Sequence, residues 1–432
     1  MAVESQSVAR RGGLFTYENA LVAILGMTFG VVFFDRQAAS NLMPFIQPDL
    51  KLNATEVGSI GSALSATWAL SAYLVGLLSD RTGSRKLILL ICVVGFSICS
   101  VISGLAPNYS VLLSSRFFMG MLEGGVMPIC LAIMVVESST NRRGLNAGIV
   151  QNGFSNLVGN SIGPIALVAI ASTAGWRNAF YLAAVPGLMC ALAIWLWVKE
   201  PPKEVHGDEA GAKMNLLDML RVRNVLVCAL ISVFMVAWLV TGFAFLPVIF
   251  TTKLLGLSKA TGGFLMSVLG LSAFATGALV PGLSDRFGRK PMMLIGCFVS
   301  VVATIAVIAF HRGPTGFQGS IALFAVLMVI GWIGNGIFPM FMGTVPGESL
   351  HRAHIATAMG IVVGAGEILG GVCGPIIAGR LADTMSIGYE APMYLMAACA
   401  VVAGIIALFL KETAPAKLAA AQAARAPLKK AA

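Results

Sequence analysis

The sequence predicts an all-α membrane protein, with twelve transmembrane helices in two six-helix bundles related by an internal repeat. Three observations carry that prediction. Hydrophobic residues make up 57% of the 432 positions and charged residues only 11%, whereas soluble domains carry about 25% charge. Apolar stretches near 20 residues recur along the chain, each long enough at about 1.5 Å per residue to cross a hydrocarbon core of about 30 Å. Finally, several short motifs occur twice, in the same order, at nearly one offset.

The spans read as 19–45, 57–79, 86–106, 110–136, 144–172 and 178–198, then 223–250, 261–284, 291–310, 318–345, 353–382 and 391–411. Between the sixth and seventh lies a polar, charged segment opening with Glu200-Pro201-Pro202. The chain therefore divides into an N-terminal tail (1–18), a first six-helix bundle (19–198), a linker (199–222), a second bundle (223–411) and a short, Ala-rich C-terminal tail (412–432).

The repeat is explicit. Leu78-Ser79-Asp80-Arg81-Thr82-Gly83-Ser84-Arg85-Lys86 returns as Leu283-Ser284-Asp285-Arg286-Phe287-Gly288-Arg289-Lys290, so that Asp80 maps onto Asp285, a shift of 205 positions. Pro128 and Glu137 return as Pro339 and Glu348, and Gly163-Pro164-Ile165 as Gly374-Pro375-Ile376, all shifted by 211.

The net charge of +10 does not mark a nucleic-acid binder, because the basic residues are sided. Arg10, Arg11, Arg81, Arg85, Lys86, Arg142, Arg143, the linker, Arg286, Arg289, Lys290 and the C-terminal tail share one side; the other offers little beyond Lys51, Arg177, Lys253, Lys259 and Arg312. That asymmetry places both termini in the cytoplasm of an inner-membrane protein. About 18 fairly polar residues precede the first span, so it serves as its own insertion signal rather than as a cleaved one. The eight cysteines all fall in predicted spans without metal-ligand spacing and read as small apolar fillers. The four histidines, His206, His311, His351 and His354, sit in loops or at helix ends. No nucleophile, base and metal constellation emerges, so neither an enzyme nor a cofactor is implied.

Charges inside apolar spans are the functional signal, since each costs roughly 2.5–3.5 kcal/mol near the bilayer centre and so faces a partner or a watery cavity. Asp35 and Arg36 are adjacent in the first helix, about 24 Å from its start. Arg116 lies roughly 10 Å into the fourth helix from the opposite side, at the same level, with Glu123 two turns deeper on nearly the same face. Adjacent residues point about 100° apart, so one arrangement turns Arg36 to a cavity and leans Asp35 toward Arg116. An Asp35–Arg116 pair could also be purely structural. Glu123, desolvated near the midplane, is a candidate proton carrier. Arg36 has the planar fork that suits carboxylate or sulfonate oxygens.

On the fifth helix Gln151 precedes Asn152, Asn156 and Asn160, whose spacing of four makes a stripe that lines a cavity or bonds a neighbour. Gly159, Gly163 and Pro164 form a close-packing face. Glu367, about 18 Å into the eleventh helix, shares a face with Gly360, Gly364 and Gly371, where another helix is expected to pack and supply a hydrogen bond. Its role divides between structural polarity and a second coupling site; Asn335 on the tenth helix is a related candidate. Phe33, Trp68 and Trp238 are aromatics that could shape a site or simply pack.

These residues carry a family resemblance. The paired Asp-Arg-x-Gly loops, Gly76 with Asp80, Arg81 and Gly83, then Asp285, Arg286 and Gly288, resemble the cytoplasmic signature of major facilitator superfamily transporters. Pro281 stands in the second copy where Gly76 stands in the first. In that family the loops resemble a latch between halves; topogenic charge alone is the simpler reading. Asp35-Arg36, Arg116 and Glu123 as Arg-x-x-x-Gly-x-x-Glu, and Gln151 are similar to the anion:cation symporter group, importers of sugar acids, aromatic acids and sulfonates. The resemblance implies proton coupling at Asp35 and Glu123 and substrate contact at Gln151. Trp68 replaces a common tyrosine, and Ala72 and Leu74 replace frequent glutamine and proline, which points to a compact anion with fewer hydroxyls. The Gly-x-x-x-Gly-Pro run also resembles drug antiporters, but Ala166 and Leu167 replace the glycine pair that extends that motif.

The expectation is thus a monomeric secondary transporter that imports a small organic anion with protons by alternating access. Arg36, Arg116, Gln151, Trp68 and Asn335 are its substrate candidates, and Asp35, Glu123 and Glu367 its coupling candidates. Its other partner is the lipid bilayer, not nucleic acid. The alternatives are a proton-coupled exporter of drugs or metabolites, for which a site for cations would need an unpaired acid, and a transport-silent sensor, which would usually add a sizeable cytoplasmic domain.

Overall fold

A computed structural model describes residues 16–139, 142–201, 216–252, 255–310, 320–350 and 354–418. The outer parts of both tails, most of the linker, His206, His311, His351, Lys253, Arg312 and the side chain of Asp80 lie outside the described residues. Among the described residues, twelve helices are long and apolar enough to cross a membrane, as the hydropathy pattern predicts. They are α1 (Tyr17–Leu50), α2 (Ala54–Thr82), α3 (Arg85–Leu105), α4 (Tyr109–Met134), α5 (Leu145–Ala174) and α6 (Trp176–Trp197) in the first half. The second half holds α7 (Arg223–Thr251), α8 (Lys259–Phe287), α9 (Arg289–Phe310), α10 (Ile321–Glu348), α11 (Thr357–Thr384) and α12 (Gly388–Ala407).

Local chemistry sets the helix ends. Asn53 and Glu56 form a reciprocal capping box at the start of α2, and Ser258 caps α8. Gly83 and Gly288 end α2 and α8 with φ of +70° and +104°, values that glycine adopts without a Cβ penalty. Both signature loops therefore turn on a glycine. Helix α1 runs five residues beyond its predicted end: Pro44 and Pro48 are accommodated within it, and Lys51 stops it in the left-handed region.

Two features place the site. The first is where the halves meet. One apolar core fills the first half around Val32, Leu89, Phe96 and Met119. The other joins the second half to Leu42, Ile46, Leu52 and Val57, the parts of α1 and α2 farthest from the end that carries Tyr17. Polar contacts cross at that same far end. Asp383 at the end of α11 accepts from the backbone N–H groups of Ala54 (2.9 Å) and Thr55 (2.8 Å) and from the Thr55 hydroxyl (2.6 Å) at the start of α2. Ser62 donates to the Val372 carbonyl at 2.7 Å, and Gln47 bonds the Tyr389 hydroxyl. Gly58 and Gly379 allow α2 and α11 to touch backbone to backbone, and Gly270 does the same for α8 against Asn160 of α5. Toward the other end, Gly148 and Gly153 on α5 and Gly360 and Gly364 on α11 have little or nothing near the position of a Cβ. The halves are sealed at the end away from Tyr17 and spread apart toward it.

The second feature is a matched irregularity. Helix α5 widens into π-helical turns, bonded five residues apart rather than four, at Ile149–Gly153 and Ser155–Ile162, and α11 does so at Gly366–Gly371. Such turns recur at functional sites because they re-aim side chains.

Candidate substrate site between the halves

Arg36 occupies the junction. Its Nη2 lies 3.4 Å from Glu367 Oε2 on α11 and 3.5 Å from Ser65 Oγ on α2. Its guanidinium stacks on Trp68 at 4.2 Å and lies 5.9 Å from the Phe33 ring. Ser65 and Trp68, three apart, share one face of α2, and Phe33 sits one turn below Arg36. Phe33 meets Trp68 edge to face at 6.2 Å, so the aromatics brace the arginine stem and leave its fork facing α11. The side chains of Arg36 and Glu367 are 12% and 15% exposed, shielded yet reachable from the gap.

On the face of α11 that carries Glu367, Gly371 packs closely against Ser65 of α2, as expected of it. At Gly360 and Gly364 nothing lies within 4 Å of the position of a Cβ. Close packing also uses Gly366, Gly370 and Gly374, which rest on Ser232, Val233 and Ala237 of α7. The hydrogen bond expected at Glu367 comes from Arg36 of α1, across the junction of the halves.

Asp35 turns away from Arg36, as the 100° between neighbours requires. It is fully buried and accepts from Ser100 Oγ of α3 at 2.8 Å. Arg116 reaches it differently than expected: Nη1 donates to the Asp35 backbone carbonyl at 3.2 Å, and Nη2 to Ser103 Oγ at 2.5 Å. The carboxylate is drawn to the small serines of α3 while the guanidinium lies on the Phe180 ring at 5.0 Å. Arg116 is 1% exposed, inside the first half rather than at the gap where Arg36 lies.

Glu123 is fully buried, and neither of its carboxylate oxygens has a hydrogen-bond partner; Asp35 Oδ2 and Arg116 Nε share that condition. Glycines bring its helix close: Gly120 lies on Leu64 and Thr67, and Gly124 on the Trp68 carbonyl. Glu123 is thereby held behind the α2 face that presents Ser65 and Trp68 to Arg36.

Gln151 is half-buried, with Nε2 3.6 Å from Met127 Sδ of α4. The asparagine stripe bonds along its own helix, Asn160 to Asn156 at 3.0 Å and Asn156 to the Asn152 carbonyl at 3.1 Å. Gly159 and Gly163 pack on Phe33 and Phe34, as their spacing predicts. Asn335 is half-buried in a tightened turn, Ile333–Ile337, and no hydrogen bond joins it to Arg36 or Glu367. Trp238 packs on Trp332 at 4.7 Å inside the second half, away from the junction. Among the described residues no group of His, Cys, Asp and Glu could hold a metal.

The signature loops are tied within their own halves. Arg289 pairs with Asp285 (2.6 Å) and Glu348 (2.7 Å), and Glu412 accepts from the N–H groups of Arg289 and Lys290. In the first half Glu200 likewise receives the N–H of Lys86. Glu200 and Glu412, each following a half's last helix, were not singled out by motif; the Lys-Glu pair shared by 199–200 and 411–412 is the signal that could have found them.

Two repeated helical halves meeting around a shielded charge are the arrangement of a membrane transporter. The chain belongs to the Major Facilitator Superfamily, whose model matches residues 25–363 and 244–432, a family of transporters and not of enzymes. It is 26% identical over 348 residues to a probable 4-methylmuconolactone transporter of Cupriavidus pinatubonensis, covering 78% of this chain and 79% of that one. It is 23% identical over 420 residues to a probable sulfoacetate transporter of Cupriavidus necator, covering 90% and 93%. It is also 29% identical over 320 residues to the multidrug resistance protein MdtG of Serratia proteamaculans, covering 68% and 72%. Among solved structures, a bacterial homolog of the human lysosomal transporter Spinster, in an inward-facing, unoccupied conformation, superposes with a TM-score of 0.74 at 20% identity, covering 92% of this chain and 97% of that one.

Proposed function

We propose that the protein imports a small organic anion, carboxylate or sulfonate, together with protons, across the bacterial inner membrane by alternating access. The observation that carries this reading is Arg36, a fork-shaped donor at the junction of the halves, stacked on Trp68 and reachable from the gap. A charge-assisted, two-point bond to an anionic head is what that geometry favours. With both termini in the cytoplasm, the sealed end is the outer one and the described state is inward-facing. The similarity to transporters named for methylmuconolactone and sulfoacetate supports an anionic cargo.

Asp35 and Glu123 are the proton sites in this reading. Both are buried carboxyls with oxygens that no donor meets, and both sit one layer behind the anion site, within the half that presents Arg36. Arg116 positions Asp35 through its backbone carbonyl, Gln151 and Trp68 shape the site, and the signature loops latch the inner ends when the protein faces outward.

Similarity to a multidrug resistance protein supports a second reading, export by proton antiport. The two differ in the sign of the cargo. Proteoliposomes with an inward proton gradient, given labelled carboxylates, sulfonates and lipophilic cations, separate them: accumulation of an anion is expected, and preference for the cations would overturn the importer reading.

A further inference from the structure

Glu367 poses a problem that the import reading leaves open, because an anion carrier has an anion already seated on its binding arginine. We propose that Glu367 is the internal counter-ion of Arg36: it neutralises the guanidinium while the carrier is empty, and the head of the substrate displaces it when the carrier is loaded. The inference rests on the anion-import reading and assigns a further residue to that site.

The contact joins the two halves. Arg36 belongs to α1 and Glu367 to α11, and the carboxylate reaches the guanidinium at 3.4 Å. A symporter must return empty, and on the way the gap closes around whatever it contains. A bare guanidinium caught between apolar walls is costly to desolvate. Phe33 and Trp68 contribute ring faces and no negative charge, and Ser65 contributes a neutral hydroxyl at 3.5 Å. Asp35 faces the opposite way, toward Ser100. Glu123 lies behind α2 and makes no hydrogen bond to Arg36, so Glu367 is the carboxylate in contact with the guanidinium when no substrate is.

Displacement needs room, and α11 supplies it. At Gly364 and Gly360, one and two turns back from Glu367, nothing lies within 4 Å of the position of a Cβ, and Gly371 adds no side chain between Glu367 and Ser65. The widened turn Gly366–Gly371 that bears Glu367 contains three glycines. A substrate head can take the fork while the displaced carboxylate moves toward the open face.

Two transport modes separate this role from a merely structural one. Exchange of substrate for substrate crosses only loaded, whereas net uptake also requires the empty return. In Glu367→Gln the competing carboxylate is gone, so anions bind more tightly, exchange persists and net uptake fails. The full chain in proteoliposomes would be given labelled benzoate, glucuronate and sulfoacetate in turn, measuring equilibrium binding, exchange and net uptake. The expected result is binding at least about tenfold tighter than wild type, exchange within about twofold, and net uptake reduced at least about tenfold. Affinity unchanged or weaker in Glu367→Gln, or net uptake left intact, overturns the counter-ion role while the import reading stands. If neither wild type nor Glu367→Gln binds any of the three anions, the import reading fails and this inference with it. If Glu367→Gln does not yield folded protein, Glu367→Asp, whose shorter side chain retreats from Arg36, is judged by the same three measurements.

Discussion

Arg36 and Glu367 lie 331 positions apart in the chain and meet at 3.4 Å, the one on the first helix of the first half and the other on the fifth helix of the second. The arginine is held flat on Trp68, which orients its fork. Truncating one partner of a shielded, hydrogen-bonded charge pair costs about 2–5 kcal/mol. Arg36→Ala is therefore expected to weaken anion binding by on the order of a hundredfold or more. Arg36→Lys keeps the charge but loses the fork and the stacking, so it should recover only part of the loss. Equilibrium binding to detergent-purified protein measures both. An Arg36→Lys variant with wild-type affinity would show that charge alone recognises the cargo.

Glu123 and Asp35 should fail differently. Glu123→Gln removes a titratable group whose oxygens have no partner, so substrate exchange should survive while accumulation driven by a proton gradient is lost. Asp35→Asn keeps an oxygen that can accept from Ser100 and leaves untouched the backbone carbonyl that Arg116 uses. Binding should be spared more than coupled uptake. Uptake with and without an imposed pH gradient distinguishes the two modes. Undiminished gradient-driven accumulation in Glu123→Gln would remove Glu123 from the proton path.

The sequence made much of this site legible, for reasons that differ residue by residue. Hydropathy and the repeat carry the twelve helices and their pairing into halves, since a span in lipid must satisfy its own backbone. Depth along a helix brings Arg116 to Asp35, because rise per residue is nearly constant. Depth does not say which atom is met, and the Ser100 hydroxyl claims the carboxylate that Arg116 was expected to reach. The Arg36–Glu367 contact lies beyond such reasoning: it depends on how two halves are placed against each other. Periodicity groups Gly360, Gly364 and Gly371 with Glu367, but small residues serve both tight packing, as at Gly371 against Ser65, and open space, as at Gly360 and Gly364, and only the neighbouring helix decides which.

Closure of the outer ends should depend on Asp383, which caps the start of α2 from the other half. Losing such a cap costs roughly 0.5–2 kcal/mol, enough to shift an equilibrium between access states. Asp383→Ala is expected to favour the outward-open state. With the native cysteines removed and Ser65→Cys introduced in the pathway, labelling by a membrane-impermeant thiol reagent from outside should rise severalfold in Asp383→Ala. Equal labelling with and without Asp383 would assign outer closure to the apolar contacts alone.

The inner-end cap at Glu412 carries a pH dependence. Partial burial works to raise this carboxyl, but hydrogen bonds from the N–H groups of Ala414, Arg289, Lys290 and Thr413 outweigh it and hold the group below the ordinary carboxylate range. A carboxyl depressed by folding stabilises above its unfolded value, and that contribution is lost as pH falls through its folded value. Glu412→Gln should therefore lower thermal stability at pH 7, by on the order of 1 kcal/mol as for other lost caps. The gap to wild type should begin to narrow once pH drops below about 4, where the unfolded carboxyl takes up its proton, and close only as pH falls on through the lower folded value. Melting curves at pH 7 and at about pH 2, below the ordinary carboxylate range, test this, and a difference undiminished at the acid end would point to lost packing rather than lost charge.

Two glycines on α11 should respond in opposite ways to the same substitution. At Gly370 a Cβ would collide with the Val233 carbonyl of α7, and the backbone nitrogen of Ala237 lies close behind. Neither backbone group can yield as a side chain could, and overpacking of this kind costs about 1–3 kcal/mol or more. Gly370→Leu is expected to lower the melting temperature or prevent folding. At Gly364 nothing lies within 4 Å of a Cβ, so Gly364→Leu should fold with a wild-type melting temperature. Its side chain would instead project into the space beside Glu367 and narrow the route to Arg36. Transport should then fall about tenfold, the equivalent of roughly 1.4 kcal/mol, with no loss of stability. Thermal melting paired with uptake measures both halves of the contrast. If Gly364→Leu were destabilised as Gly370→Leu is, the face around Glu367 would be a packing surface and not the wall of a substrate path.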